Sequence, residues 1–363
     1  MNPSRDRIAK PAAAGPLRRA AGAAVACIAC FVAPIAGCSD PAPAGGRVVD
    51  ADTFGGLGTY PGAYHYPRVL EAGRNELWVI DKAARVQRID PASGKSLALW
   101  KTPKHDNGKP VGLAIIEDQQ GPLLFIADTH QHRVLVQRPP TDAEGSGETI
   151  AEFGEFGYDI GQFIYPTDVA VLRDATGAID RIYVSEYGGN DRIVVYSPDY
   201  QPLFTFGTFG GGPGAEFNRP QQIVLDEDRR ELVISDVNNH RIGRFTLDGE
   251  LIAWIGATSP DPGTTPGAFR HPHGLELLGD GTVLVSEFGN SRVQRIDLDT
   301  GDCLGIWGEP GRGVGQFAYP WSVAVMNDRV FVLDSGNHRV QSFAKPTDRP
   351  EPLTAVSSAG GGA

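Results

Sequence analysis

The sequence predicts an all-β protein built as a six-bladed β-propeller. Three observations predict this fold: a unit that returns six times at a spacing of about 50 residues, short strand-like runs inside every unit, and complementary fragments at the two ends of the repeats. Each unit opens with a proline, followed by an apolar run, an acidic residue and an arginine. The leading prolines are Pro67, Pro110, Pro166, Pro220, Pro272 and Pro320. The acid and arginine pairs are Asp81/Arg85, Asp128/Arg133, Glu186/Arg192, Asp236/Arg241, Glu287/Arg292 and Asp334/Arg339.

Each unit contains four short strand-like segments. In the fourth unit they are residues 222–225, 231–235, 241–245 and 251–255. Strands of this length cannot bury a core alone, so the units must stack around an axis. The sixth unit ends one strand short, and residues 51–55 resemble the strand-ending stretches at 151–154 and 203–207. We therefore expect the N-terminal segment to complete the last blade, which would remove the exposed sheet edges.

The N-terminal segment has the pattern of an export signal. Residues 1–37 contain five Lys or Arg and one acid before an apolar, Ala-rich stretch, which is typical of a signal peptide. The stretch ends Ile35-Ala36-Gly37-Cys38, which resembles the lipobox of bacterial lipoproteins and implies lipid on Cys38. The alternative is an ordinary thiol beside an ordinary cleavage site. Residues 38–50 resemble a flexible tether, residues 51–344 form the predicted propeller, and residues 345–363 are predicted to be a disordered tail.

Charge narrows the range of partners. Without residues 1–37, 28 Lys and Arg remain against 43 Asp and Glu, a net charge of −15. Such an acidic chain repels phosphate backbones, so nucleic-acid binding is disfavoured. The signal pattern predicts the bacterial cell envelope, with the protein lipid-anchored and facing the periplasm or the cell exterior. Ser39 after Cys38 favours the outer membrane.

The repeated motifs resemble a known family. The runs Phe217-x-x-Pro220, Val233-Ile234-Ser235-Asp236 and Asn239-His240-Arg241 are similar to the NHL repeat, and residues 332–343 are closer still. The resemblance covers residues 53–343 and is weakest in the first unit, where the acid-to-arginine turn lacks the Asn and is one residue shorter. It implies a propeller used as a platform for partners.

The repeated acid and arginine pairs are interpreted as structural. A charge pair that recurs in every blade serves each sheet equally, so chemistry is expected where the blades differ. Because strands in a blade alternate in direction, the residues beside each proline and the acid-to-arginine turns share one rim. Residues on this rim that vary between blades are the binding candidates. They are Tyr66, Arg68, Tyr165, Asp168, Arg219, His271, His273, Tyr319 and Trp321. The alternative is that the aromatic rings only fill the mouth of the central channel.

Histidines near this rim suggest a metal site. His271 and His273, at i and i+2, lie on one side of an extended chain and could bind a transition metal such as zinc, with His65 as a third ligand. The cofactor candidates are zinc and calcium. His130 and His132 show the same spacing but belong to the opposite blade. His240 and His338 lie in repeated turns and are expected to be structural.

The repeats also look similar to those of the peptidylglycine amidating lyases. That resemblance implies a zinc ion held by histidines that directly follow the blade-opening prolines. Only His273 matches this position, since the other five residues are Arg68, Val111, Thr167, Gln221 and Trp321.

Two functions therefore remain open. The preferred one is a non-catalytic, lipid-anchored propeller that binds an envelope protein, a peptide or a glycan. The alternative is a metal-dependent lyase or hydrolase with its site at the channel mouth, around His65, Arg68, His273 and Tyr319.

Overall fold

The computed structural model describes residues 51–106, 108–143, 145–256 and 262–346. The predicted signal peptide, the lipidation candidate Cys38, the tether through residue 50 and the tail from residue 347 lie outside this part of the chain. Within these ranges no helix is long and apolar enough to cross a membrane. The same ranges hold one free cysteine, the buried Cys303.

Six antiparallel sheets of four strands form six blades. Blade 1 contains Pro67–Ala72, Leu77–Asp81, Arg85–Ile89 and Ser96–Lys101. Blade 2 contains Gly112–Asp118, Gly121–Asp128, Arg133–Arg138 and Glu148–Phe153. Blade 3 contains Tyr165–Arg173, Ile179–Tyr187, Arg192–Tyr196 and Pro202–Phe206. Blade 4 contains Pro220–Asp226, Glu231–Asp236, Arg241–Thr246 and Leu251–Gly256. Blade 5 contains Pro272–Leu277, Thr282–Glu287, Arg292–Asp297 and Cys303–Trp307. Blade 6 contains Pro320–Met326, Arg329–Asp334 and Arg339–Ala344, with Asp52–Gly55 as its fourth strand.

The N-terminal strand closes the ring, as the sequence predicted. Asp52–Gly55 pairs antiparallel with Arg339–Ala344, in a register that sets Asp52 opposite Ser342 and Gly55 opposite Arg339. The last blade thus takes strands from both ends of the repeat region. The six-bladed, all-β prediction is confirmed, including this closure.

Apolar side chains fill the seams between neighbouring blades. Six buried clusters are present, one for each seam of the ring. At the seam between blades 2 and 3, Phe125 packs in one cluster with Val184. At the closing seam, Leu70 of blade 1 shares a cluster with Phe331 of blade 6. Full burial of one such side chain stabilises the fold by roughly 1.5–3 kcal/mol, which explains why short strands suffice once they are stacked.

A glycine after the fourth strand marks the passage to the next blade. Gly207 has φ +88°, and a Cβ there would lie 2.5 Å from the ring of Phe217. Glycine alone adopts this conformation without strain and lets the ring lie against the backbone. The same pairing of a glycine with an aromatic ring recurs at Gly154 and Phe163. It explains the Phe-Gly stretches that end the fourth strands.

The six acid and arginine pairs all form ion pairs, which we call clasps. Asp81 and Arg85 form the clasp of blade 1, and the N···O distances in blades 2–6 run from 2.5 to 3.1 Å. In blade 4, Asp236 also accepts a hydrogen bond of 2.7 Å from the Asn218 backbone N–H. Arg241 donates to the backbone carbonyl oxygens of Gly212 and Glu216 at 2.9 and 2.8 Å. Each clasp therefore ties an interblade loop to its blade.

Candidate functional site

The first strand of each blade forms the wall of a narrow central channel. Directly after the proline, the strand pairing shifts register in blades 1, 3, 4, 5 and 6. Such β-bulges redirect the side chains that follow them. The resulting wall includes Arg68, Val111, Asp168, Gln221, His273 and Trp321. These residues enclose a cavity of about 20 Å³, which is enough for one water-sized group.

A larger pocket of about 210 Å³ opens at the mouth, between blades 1, 5 and 6. Tyr66 and Tyr319 stand at its edge, 48% and 55% exposed. The ring of Tyr319 stacks on Phe288 with centroids 4.7 Å apart, and Phe288 in turn stacks on His273 at 5.1 Å. Lys82 also lines the pocket. The pocket thus has aromatic walls with cations beside them.

Two arginines at the mouth have no anionic partner among the residues that the structure describes. The guanidinium carbon of Arg68 lies 5.0 Å from the Trp321 ring centroid, and that of Arg219 lies 5.0 Å from the Tyr187 centroid. In the described ranges, neither guanidinium makes a hydrogen bond or an ion pair. Burial, together with the charge of Arg219, lowers the pKa of Arg68. The mouth is therefore locally positive although the whole chain is acidic.

Two buried polar groups beside these arginines also lack hydrogen-bond partners in the described part of the chain. His273 is 4% exposed and Gln221 is 3% exposed. Neither the His273 Nδ1 nor the Gln221 Oε1 has a hydrogen-bond partner among the described residues. Burial and then the Arg219 charge hold the pKa of His273 well below its usual range, so its imidazole is neutral. These atoms can meet a ligand without breaking an existing bond.

Comparison with known proteins identifies the repeat. A model of the NHL repeat matches residues 217–245 and 317–343, which lie in blades 4 and 6. This chain carries NHL repeats. The NHL repeat-containing protein 3 of Mus musculus is 35% identical over 111 residues, 30% of this chain and 30% of that protein. A probable peptidyl-alpha-hydroxyglycine alpha-amidating lyase of Caenorhabditis elegans is 31% identical over 112 residues, 30% of this chain and 29% of that protein. The NHL chain thus spans about a third of the length of these relatives.

Solved structures share the fold of the NHL propeller. A structural genomics protein of unknown function from Bacteroides thetaiotaomicron superposes with a TM-score of 0.58 and 15% identity, covering 81% of this chain and 76% of that one. A streptogramin B lyase superposes with a TM-score of 0.51 and 18% identity, covering 82% of this chain and 88% of that one. At these identities the likeness shows the fold alone.

The predicted metal ligands of the NHL propeller are not brought together. His65 faces His338 of blade 6, with ring centroids 6.4 Å apart, whereas His271 contacts His240 of blade 4 at 4.6 Å. His273 packs against Trp321 at 4.5 Å. No group of three or more His, Cys, Asp or Glu residues is arranged to hold a metal ion within the described ranges. The structure therefore does not assemble the predicted site of His65, His271 and His273.

Three histidines of the acid-to-arginine turns are tied to neighbouring blades. The Nδ1 of His338 accepts a hydrogen bond of 3.0 Å from the Tyr66 N–H, and the Nδ1 of His240 accepts one of 3.1 Å from the His271 N–H. His132 bonds the Ile164 carbonyl oxygen at 2.5 Å. These bonds agree with the structural role expected for His240 and His338. His132, considered above as a metal ligand, makes a similar interblade contact.

The deeper channel holds carboxyl groups. Asp168 accepts hydrogen bonds from the backbone N–H groups of Leu113 and Ile223, at 3.2 and 3.0 Å. Because these partners belong to blades 2 and 4, Asp168 joins three blades. Burial raises the pKa of Asp168 to about 8. Burial likewise raises the pKa of Glu276 to about 8 and that of Glu71 well above its usual range. Burial therefore favours the protonated form of all three carboxyl groups.

The remaining candidate lies apart from the mouth pocket. Tyr165, in blade 3, contacts Tyr187 with ring centroids 5.1 Å apart and the ring of His130 at 5.7 Å. The sequence analysis did not single out four residues that line the pocket, Lys82, Phe288, Ser335 and Gly336. The first three directly follow the clasp acids of blades 1, 5 and 6, so a comparison of the residue after each clasp acid could have found them.

Proposed function

We propose that this NHL propeller is a binding module and that the pocket between blades 1, 5 and 6 is the binding site for a peptide ligand. The observation that carries the proposal is the pocket itself, which has a volume of about 210 Å³ and aromatic walls. Tyr, Trp and Arg are the residues that dominate binding energies at protein interfaces. Tyr319, Trp321 and Arg68 meet here. A concave apolar site with a few polar groups is also the usual form of a ligand site.

The same proposal includes the cell envelope as location. The basic and apolar pattern of residues 1–37 and the lipobox-like end at Cys38 support a lipid-anchored propeller outside the cytoplasm. The tether through residue 50 would let the mouth reach an envelope protein. The bound segment would then be a peptide end or loop of such a protein.

A library of random synthetic heptapeptides with free termini tests the proposal. The immobilised full-length protein is exposed to the library, and retained peptides are identified by mass spectrometry. We expect retained peptides to lose about 30-fold in affinity for the Tyr319→Ala variant, since removal of an interface hot spot costs about 2 kcal/mol. Tyr319 is largely exposed, so the fold should not suffer.

A matched control is Leu203→Ala. Leu203 is 49% exposed but belongs to the fourth strand of blade 3, away from the pocket. This variant should bind the peptides as the unaltered protein does. Failure to retain any peptide, or equal binding by the Tyr319→Ala variant, would reject the pocket as a peptide seat.

A lyase is the second candidate, favoured by the local similarity to the probable amidating lyase of Caenorhabditis elegans. His273 in the channel wall is the residue that would take part. The full-length protein, with and without added zinc, is incubated with a peptidyl-α-hydroxyglycine and followed by mass spectrometry. Formation of the peptide amide that is lost in His273→Ala would replace the binding proposal with the enzymatic one.

A further inference from the structure

The mouth arginines are unusual within this molecule. In the clasps, every arginine meets a carboxylate that is almost completely buried. Arg68 and Arg219 instead lie over the rings of Trp321 and Tyr187, without an anionic partner in the described ranges. Withdrawing a charge from water without pairing it is unfavourable. Groups that break the rules of stability in this way concentrate at functional sites.

We propose that Arg68 and Arg219 bind a carboxylate of the ligand at the entrance of the channel. This inference rests on the proposed function, because the apolar part of the same ligand fills the neighbouring pocket. The ligand class is thus a molecule, such as a peptide end, that joins a carboxylate to an apolar group. Arg68 lines both the channel cavity and the pocket, which connects the two parts of the site.

The donor set suits a carboxylate. Guanidinium groups offer parallel N–H donors that match the two oxygens of a carboxylate. The Nε of Arg219 is buried without a hydrogen-bond partner among the described residues. Gln221, two positions further along the chain, lines the channel cavity. The cavity of about 20 Å³ admits one oxygen-sized group but not a whole phosphate. A carboxylate with one oxygen directed into the channel meets these limits.

The carboxyl groups that line the channel cavity do not pair with Arg68 in the described part of the chain. Asp168 and Glu71 line the same cavity as Arg68. Burial raises the pKa of both groups, to about 8 for Asp168, and so favours their neutral forms. Neither carboxyl group forms an ion pair with Arg68 in the part of the chain that the structure describes. An incoming anion therefore meets the field of two cations.

A pair of small probes tests the inference. Binding of 3-phenylpropanoate and of its neutral amide, 3-phenylpropanamide, is measured by titration calorimetry on the full-length protein at pH 7. We expect the acid to bind about tenfold more tightly, as a charge-assisted hydrogen bond provides. In Arg219→Gln this preference should fall below about threefold, whereas the affinity for the amide stays the same. Circular dichroism and thermal unfolding establish that the variant is folded.

Arg74→Gln is the control for loss of one positive charge. Arg74 is exposed in the turn after Pro67–Ala72, at the end of the strand opposite the mouth. Its removal should leave the preference for the acid unchanged. Equal binding of acid and amide to the unaltered protein would overturn the carboxylate site but leave the peptide pocket standing. An acid preference that survives in Arg219→Gln, or binding of neither probe, would also overturn it.

The library of the preceding section separates the two proposals. Retained peptides are remade as C-terminal amides and compared with the free acids. Amides that bind as tightly as the acids, and are lost in Tyr319→Ala, would reject the carboxylate site while supporting the peptide pocket. If the amides bind more weakly than the acids, and the acids bind Arg219→Gln equally weakly, the result would support both the peptide pocket and the carboxylate site.

Discussion

The clasps and the channel mouth use the same residue in opposite ways. Each clasp arginine is paired with a carboxylate that is at most 1% exposed at its side chain, and the arrangement returns in all six blades. The mouth arginines, Arg68 and Arg219, occur in blades 1 and 4 alone among the proline-flanking positions and have aromatic rings as their neighbours. Residues that recur in every blade are thus those that the fold requires, and residues that differ between blades are the ones that remain available to bind a ligand.

This difference follows from what each blade must do. Every blade has to attach the loop that enters it. In blades 4 and 5 a buried carboxylate accepts a hydrogen bond from a backbone N–H of this loop, and the clasp arginine donates to its backbone carbonyl oxygens. A ligand occupies one place on the rim, so its contacts need not repeat. The two regions should therefore respond oppositely to substitution.

The largest effect is expected from breaking a clasp. Arg241→Ala leaves the carboxylate of Asp236 buried without its cation and removes the stacking of the guanidinium on Trp254, whose centroid lies 3.6 Å away. We expect the free energy of unfolding to fall by about 3–5 kcal/mol, the usual cost of an uncompensated buried charge. Urea denaturation followed by circular dichroism measures it. A loss below about 1 kcal/mol would contradict the structural interpretation of the clasps.

A second prediction concerns a buried carboxyl group without an arginine. Glu276 accepts a hydrogen bond of 3.0 Å from the Val325 N–H, and burial raises its pKa to about 8. The folded state therefore binds its proton more tightly than the unfolded state does. The stabilisation of the fold by this bound proton is fully present below the pKa of Glu276 in the unfolded state, near 4, and is lost as the pH rises towards 8.

Glu276→Gln should remove this pH dependence and keep the hydrogen bond to Val325. Between pH 5.5 and 7.5, the stability of the unaltered protein should fall relative to the variant by about 1.4 kcal/mol per pH unit. Urea denaturation at several pH values gives both slopes. Parallel slopes would show that Glu276 is ionised in the folded protein.

The sequence predicted the repeated parts of the molecule well. The prolines and the clasp residues recur with regular spacing, so each unit supports the assignment of the others. The closing strand of blade 6 was predictable because the sixth unit ends one strand short. The strands predicted for blade 4 begin and end within two residues of those observed. Regular spacing predicts the strand positions because every blade packs against its neighbours in the same way.

The candidate site was less predictable because it depends on irregularities. The bulge after Pro67 or Pro272 decides which following side chain faces the channel, and the spacing of residues does not reveal a bulge. The pairing of His65 with His338 and of His271 with His240 depends on which blades are neighbours at each loop. The proline-flanking arginines were recognisable from the sequence, but only the three-dimensional structure shows that they have no anionic partner among the described residues.

The smallest effect on the free energy of unfolding is expected for a substitution at the mouth. This measurement gives the sharpest contrast between the mouth and the clasps. Arg219→Gln removes a cation that has no anionic partner within the described ranges and that lowers the pKa of Arg68. The backbone N–H of residue 219 keeps its 2.6 Å hydrogen bond to Asp191. We expect the free energy of unfolding to stay within about 0.5 kcal/mol of the unaltered value or to rise slightly, because the substitution removes a charge that is partly withdrawn from water without an anionic partner among the described residues. The measurement is the same urea denaturation used for Arg241→Ala. A loss above about 2 kcal/mol would make Arg219 a structural residue, and the contrast between a repeated clasp and a free mouth would then fail.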